Sequence, residues 1–186
     1  MKARLNPFAT HRVLRLPYEL QQGTWEQLLQ RLAEFNHRAA IVGPEGSGKT
    51  TLLEDLAGRL GDHFEVKWLQ LSRENTELPD HFFSELRPDH LLLVDGADLL
   101  PAFTRKRLFW KTKGLRGLIL TAHRTELLPT LIVCSTNLKL LDRMNRRLME
   151  NPDEDFRRLS HELFRKHHGN LRDVFRELYD VWAALP

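Results

Sequence analysis

Five short apolar runs punctuate the chain, at residues 39–42, 66–71, 91–94, 118–121 and 131–134, and polar or turn-forming residues bound each of them. Runs this brief and this largely apolar, separated by helical or loop segments, predict the strands of a parallel sheet covered on both faces. Between them the period lengthens. Leu52, Leu53, Leu56 and Leu60 follow one another at helical spacing. Trp25, Leu28, Leu29, Leu32 and Phe35 make a second stripe, behind Thr24 and Gln27 in the spacing of a capping box. Strands alternating with helices predict an α/β fold of three layers, with a five-stranded parallel sheet covered on both sides.

After residue 149 only the helical period remains. Asn151, Pro152, Asp153 and Glu154 combine an N-cap, a proline for the first helical position and first-turn acids, and Gly169 is placed to end that helix. Asn170 can cap the next helix, whose Leu171, Val174, Phe175, Leu178, Tyr179 and Trp182 are spaced to pack against Phe156, Leu159, Leu163 and Phe164. The pattern divides the chain into an extended N-terminal arm over 1–22, an α/β core over 23–149 and a small helical lid over 150–186.

The candidate chemistry starts at "GPEGSGKT", residues 43–50, between the first apolar run and the leucine-striped helix. It matches G-x-x-x-x-G-K-[ST], whose glycines let the backbone curl so that successive N–H groups point at phosphate oxygens. Gly43 and Gly48 take the required places and Pro44, Glu45, Gly46 and Ser47 the free ones. The N-terminus of the next helix adds partial positive charge, with Thr51 in its first turn. Lys49 can reach the β- and γ-phosphates, and the Thr50 hydroxyl can ligate Mg²⁺. A second motif, "HLLLVDGAD" over 90–98, ends an apolar run in Asp95. A carboxylate there lies at the carboxyl edge of the sheet, where ligands bind in open α/β folds, and it can hold Mg²⁺ directly or through water.

With both motifs in place the chain resembles P-loop ATPases of the additional-strand class, specifically AAA+-like and STAND-related ATPases. Residues 43–50 are then similar to the Walker A loop and 91–98 to the Walker B strand with Asp95 at the metal position. "GLILTAHR", 117–124, resembles the sensor 1 strand, which offers Thr121 and His123 to the γ-phosphate or the attacking water. "HHGNLRDVF", 167–175, is similar to the sensor 2 region, and the resemblance directs Arg172 toward the γ-phosphate. It implies an ATP-binding protein, a Mg²⁺-dependent ATPase or ATP-operated switch. One departure matters. Where AAA+ strands continue with a glutamate, Gly96 follows Asp95, as in the "DG-x-D-E" form of STAND ATPases, so Asp98 is the candidate base, or else it caps the next segment. Leu99 stands in the place of that pattern's glutamate.

A kinase of small molecules is the alternative, because "GPEGSGKT" also fits G-x-x-G-x-G-K-[ST] and "RMNRR", 143–147, could serve as an arginine-bearing lid. Strand order separates the two: a strand inserted between the Walker A and Walker B strands favours the ATPase, and direct adjacency favours the kinase.

Composition narrows the setting. The 186 residues are 41% hydrophobic and 28% charged, which suits a globular domain, and no run of about 18 apolar residues or signal-like segment is present. The expectation is a cytoplasmic protein without a membrane partner. The single cysteine, Cys134, lies in an apolar run and reads as a core residue. His161, His167 and His168 lack the partners of a closed metal site. The formal charge is +3, yet between Asp98 and Glu126 the chain holds Arg105, Lys106, Arg107, Lys111, Lys113, Arg116 and Arg124 without an acid, interleaved with Phe103, Phe109 and Trp110. A solvated helix with its aromatics turned into the core is the commoner form of such a segment, and a nucleic-acid surface is the other. Besides ATP, the expected partners are a protein client or further copies of the chain.

Overall fold

The computed structural model describes residues 6–125 and 127–184, which form two compact units. One comprises Tyr18–Gly43 and Lys49–Val133 and carries the sheet. The other comprises the described residues of Met1–Pro17, Pro44–Gly48 and Cys134–Pro186 and is helical.

In the sheet unit the order along the chain is α2 (Trp25–Glu34), β1 (Arg38–Val42), α3 (Lys49–Leu60), β2 (Glu65–Gln70), α4 (Asp80–Ser84), β3 (His90–Asp95), α5 (Ala102–Lys111), β4 (Gly117–Ala122) and β5 (Thr130–Val133). The capping box opens α2 as its spacing predicts, the Thr24 hydroxyl accepting from the Gln27 N–H and the Gln27 side chain accepting from the Thr24 N–H. All five strands run parallel in the order β2-β3-β4-β1-β5. β4 therefore sits between β1 and β3, with Ala39 opposite Ile119 and Leu93 opposite Ile119 on the other side. β1, β3 and β4 are buried along nearly their whole length, which is why their sequences are unbroken apolar runs. Leu71 and Cys134, expected within strands, fall just past the ends of β2 and β5, and both are buried. Leu52, Leu53, Leu56 and Leu60 of α3 are all buried, as their spacing predicts.

The helical unit holds α1 (Thr10–Val13), α6 (Leu138–Leu148), α7 (Glu154–Lys166) and α8 (Leu171–Ala183). Its core joins Leu141, Leu163, Val174, Phe175 and Leu178 to Phe8, whose ring stacks against Phe156 and Phe175. Asn6 fixes that segment by donating to the Tyr179 carbonyl at 2.9 Å. Asp153, not Asn151, is the N-cap of α7, accepting from the Phe156 N–H at 2.7 Å. Asn151 instead adopts φ 52° in the turn before it. An N-cap needs extended backbone, so the asparagine's left-handed turn passes the role to the next side chain able to accept. Beyond α7, His168 and Gly169 take φ 51° and 83°, and the Gly169 N–H closes on the Phe164 carbonyl at 2.9 Å. No helix among the described residues is long and apolar enough to cross a membrane.

Candidate nucleotide-binding site

Three side chains converge at the carboxyl edge of the sheet. Asp95 is the last residue of β3, Thr121 the fifth of β4, and Thr50 the second of α3. The Thr50 hydroxyl donates to Asp95 Oδ2 at 2.9 Å and the Thr121 hydroxyl to Asp95 Oδ1 at 2.6 Å, so both carboxylate oxygens are engaged. Thr121, itself buried, also accepts the Gly96 N–H at 2.8 Å, which fixes the turn leaving β3. Gly96 has φ 81°, and a Cβ there would stand 3.1 Å from the Leu71 carbonyl. A side chain at this position would be strained by the left-handed backbone and tight against Leu71. Lys49, at the head of α3, rests with Nζ donating to the Gly43 carbonyl at 2.8 Å.

The donor set fits Mg²⁺. A hydroxyl and a carboxylate are the hard oxygen ligands this ion takes, usually one or two from protein with water and phosphate completing an octahedron. Two adjacent ligands at 2.0–2.1 Å stand roughly 3 Å apart, and Thr50 Oγ1 and Asp95 Oδ2 are separated by 2.9 Å. Glu54, one helical turn beyond Thr50, has its carboxyl pushed above the usual range by burial and then by the charges of Asp95 and Asp55. A dication would relieve that crowding of negative charge. Sequence reading passed over Glu54, although its i,i+4 spacing from Thr50 is a usable signal.

Asp98 lies on the 3-10 turn Ala97–Leu99, and its carboxylate pairs with His123 Nδ1 just past β4. The turn's own N-cap, Gly96, offers no side chain, and Asp98 meets His123 across the fold instead of capping the next segment.

Residues 44–48 group with the helical unit. Pro44 and Glu45 are exposed, Ser47 is buried with its hydroxyl on the Pro44 carbonyl at 2.8 Å, and Gly46 and Gly48 hold φ 66° and 87°. A Cβ on Gly46 would lie 1.8 Å from Asn170 Oδ1 and 3.0 Å from the Leu171 N. The first turn of α8 therefore abuts the glycine turn. Asn170 caps that turn as expected, accepting from the N–H groups of Arg172 at 3.1 Å and Asp173 at 3.3 Å. It has the further contact with Gly46, which nothing in the local pattern signals. The Arg172 side chain is exposed and has no partner among the described residues, whereas Arg176 pairs with Asp173 at 3.3 Å. Gly43, Lys49, Thr50, Thr51, Asp95, Asp98, Thr121 and His123 thus lie in the sheet unit, and the loop residues with Arg172 in the helical one.

No family model matches the chain, and no curated protein matches it. Solved structures do. A single-residue variant of Thermotoga maritima RuvB superposes with TM-score 0.54 at 16% identity, over 91% of this chain and 73% of that one. A second RuvB variant gives 0.51 at 16%, over 90% and 73%. Cdc6p from Pyrobaculum aerophilum gives 0.50 at 18%, over 81% of this chain and 57% of its own. The fold is that of the AAA+-type P-loop ATPases. The additional strand, here β4, lies between the strand that leads into the phosphate loop and the strand that ends in Asp95.

Proposed function

We propose that the protein binds ATP with Mg²⁺ and acts as an ATP hydrolase or ATP-operated switch. The observation that carries this reading is the chain of hydrogen bonds Thr50–Asp95–Thr121, built on a sheet whose order interposes β4 between β1 and β3. The loop over 43–50 offers its backbone N–H groups to the phosphates. Lys49 leaves the Gly43 carbonyl to meet the β- and γ-phosphates, a short swing for a flexible side chain. Thr50 and Asp95 would hold Mg²⁺, and the ion would supply positive charge to offset that of the phosphates. Thr121 orients Asp95, because the hydrogen bond fixes the carboxylate plane in advance and removes reorganisation at the moment of binding.

Asp98 and His123 form the candidate unit for activating water. A carboxylate held against an imidazole is oriented as a base needs to be. Arg172, on the turn beside Gly46, carries an exposed guanidinium and is the candidate γ-phosphate contact that the resemblance implies. The likeness to RuvB and Cdc6p supports this reading at the level of fold. A small-molecule kinase is less well supported, because its phosphate-loop and aspartate strands would be adjacent.

The test is ATP binding and steady-state hydrolysis with Mg²⁺ for wild type, Lys49→Ala and Asp98→Asn. Turnover in wild type that both variants lose supports an ATPase with Asp98 in the water-activating unit. Binding without turnover, abolished only by Lys49→Ala, identifies a switch. Absence of ATP binding to the folded wild type overturns the proposal.

A further inference from the structure

The outer face of α5 departs from the buried-aromatic expectation. Phe109 packs against the sheet's core, but Phe103 and Trp110 are 81% and 68% exposed. Lys106 and Lys113 are exposed too, and neither has a partner among the described residues. Positions 103, 106, 110 and 113 follow i, i+3, i+7 and i+10, one line along a helix and its last turn, so the surface reads aromatic, lysine, aromatic, lysine. The rest of the helix is anchored: Leu108 and Thr112 on the opposite face are buried, and Arg107 and Lys111 on the flank pair with Asp80. The exposed stripe is thus what remains of a helix already anchored.

We propose that this stripe is a stacking platform for single-stranded nucleic acid. Bare lysines alternating with bare aromatic planes match a polyanion whose repeating unit is also a flat ring. Cations take the phosphates while rings take bases of any sequence. No acid lies between Asp98 and Glu126 to repel such a strand, and Asp80, which faces the helix's flank, is already paired with Arg107 and Lys111. An acidic protein would satisfy the lysines but would leave two rings exposed to water. At 1.5 Å per helical residue the rings stand about 10 Å apart along the axis, close to three steps of about 3.4 Å along a strand. The site therefore accommodates roughly four nucleotides, the lower end of the range for single-strand platforms. This inference does not rest on nucleotide hydrolysis.

The experiment is fluorescence anisotropy of a labelled oligothymidylate of about 12 nucleotides, within the usual ~4–16 nucleotide site size, against the full chain without ATP and over a salt series. A matched duplex serves as competitor. Wild type should bind the single strand in preference to the duplex. Phe103→Ala with Trp110→Ala should weaken binding at least about thirtyfold, the low end for two lost stacking contacts, while Trp110→Phe retains most of it. Lys106→Gln with Lys113→Gln should lower the slope of log affinity against log salt by about 1.4, the share of two single-strand phosphates. Both exposed pairs should leave the unfolding midpoint unchanged, which separates lost contacts from lost fold. No binding by folded wild type overturns the proposal, as does binding insensitive to the aromatic pair or equal affinity for duplex. Self-association in sedimentation that the aromatic pair abolishes, without oligonucleotide binding, also overturns it and assigns the stripe to a second copy of the chain.

Discussion

At the carboxyl edge of the sheet, Asp95 gives one oxygen to the Thr50 hydroxyl and the other to that of Thr121, and Asp98 is matched with His123. On the outer face of α5, a few residues along the same chain, Lys106 and Lys113 meet only solvent and two rings stand bare. The two regions are made of comparably polar sequence, yet one has settled its hydrogen bonds internally and the other has left them open. A site that must hold an ion and a reacting phosphate gains from groups fixed in advance. A surface that takes a partner keeps its groups hydrated until the partner displaces the water. The state of the polar groups, more than their number, distinguishes the two uses.

The contrast within α5 itself is the easiest to break. Leu108 is fully buried while Phe103 points outward, so Leu108→Ala should cost about 2–5 kcal/mol in urea unfolding, whereas Phe103→Ala should stay within about 0.5 kcal/mol. A similar cost for both would mean that the outer face is not free. Next in size is Gly46→Ala. It places a side chain at φ 66° and against Asn170, and strain of about 1–3 kcal/mol for the left-handed backbone alone should weaken ATP binding at least about fivefold in titration calorimetry. Unaltered affinity would show that the close approach to the first turn of α8 does not matter for nucleotide.

Thr121→Val removes the donor to Asp95 and the acceptor of the Gly96 N–H, so it should lower stability by about 1–3 kcal/mol and weaken Mg²⁺-dependent ATP binding, with Thr121→Ser restoring both. Equal behaviour of the valine and serine variants would remove the claim that Asp95 is preset. The smallest effect belongs to Asp80, whose carboxyl is held below its usual 3.8 by Lys111 first and Arg107 second. Because the folded value is depressed, its contribution is present above about pH 4 and disappears as pH falls through the folded value. Asp80→Asn should therefore lower the thermal midpoint slightly at pH 7 and flatten its decline below pH 4, with no change in anisotropy at the α5 stripe.

Much of the fold is readable in the amino-acid order. Strands fall within a residue or so of their expected ends, and β1, β3 and β4 are the clearest because a strand buried on both faces must be apolar nearly throughout. The glycine turn is evident because its φ values and its place before a helix restrict the residue types. The cap of α7 lies two residues beyond its expected place, since Asn151 and Asp153 are both competent caps and only the backbone turn chooses between them. The outward face of α5 is hidden for a different reason. Phe103, Phe109 and Trp110 are spread around the helix and blur its apolar stripe, so pattern alone assigns the rings to the core.

What the amino-acid order determined by itself is local: where chain can be helix or strand, where glycine permits a left-handed turn, and that Asp95 closes an apolar strand. Those properties depend on neighbours within a turn or two, and short-range sterics and periodicity are enough to set them. The insertion of β4 between β1 and β3, the hydroxyl of Thr121 on Asp95, the pairing of Asp98 with His123 and the contact of Asn170 with Gly46 join residues far apart in the chain. Such contacts exist only once a loop has been closed at an entropic cost that packing of the whole must offset, so only the tertiary structure could decide them.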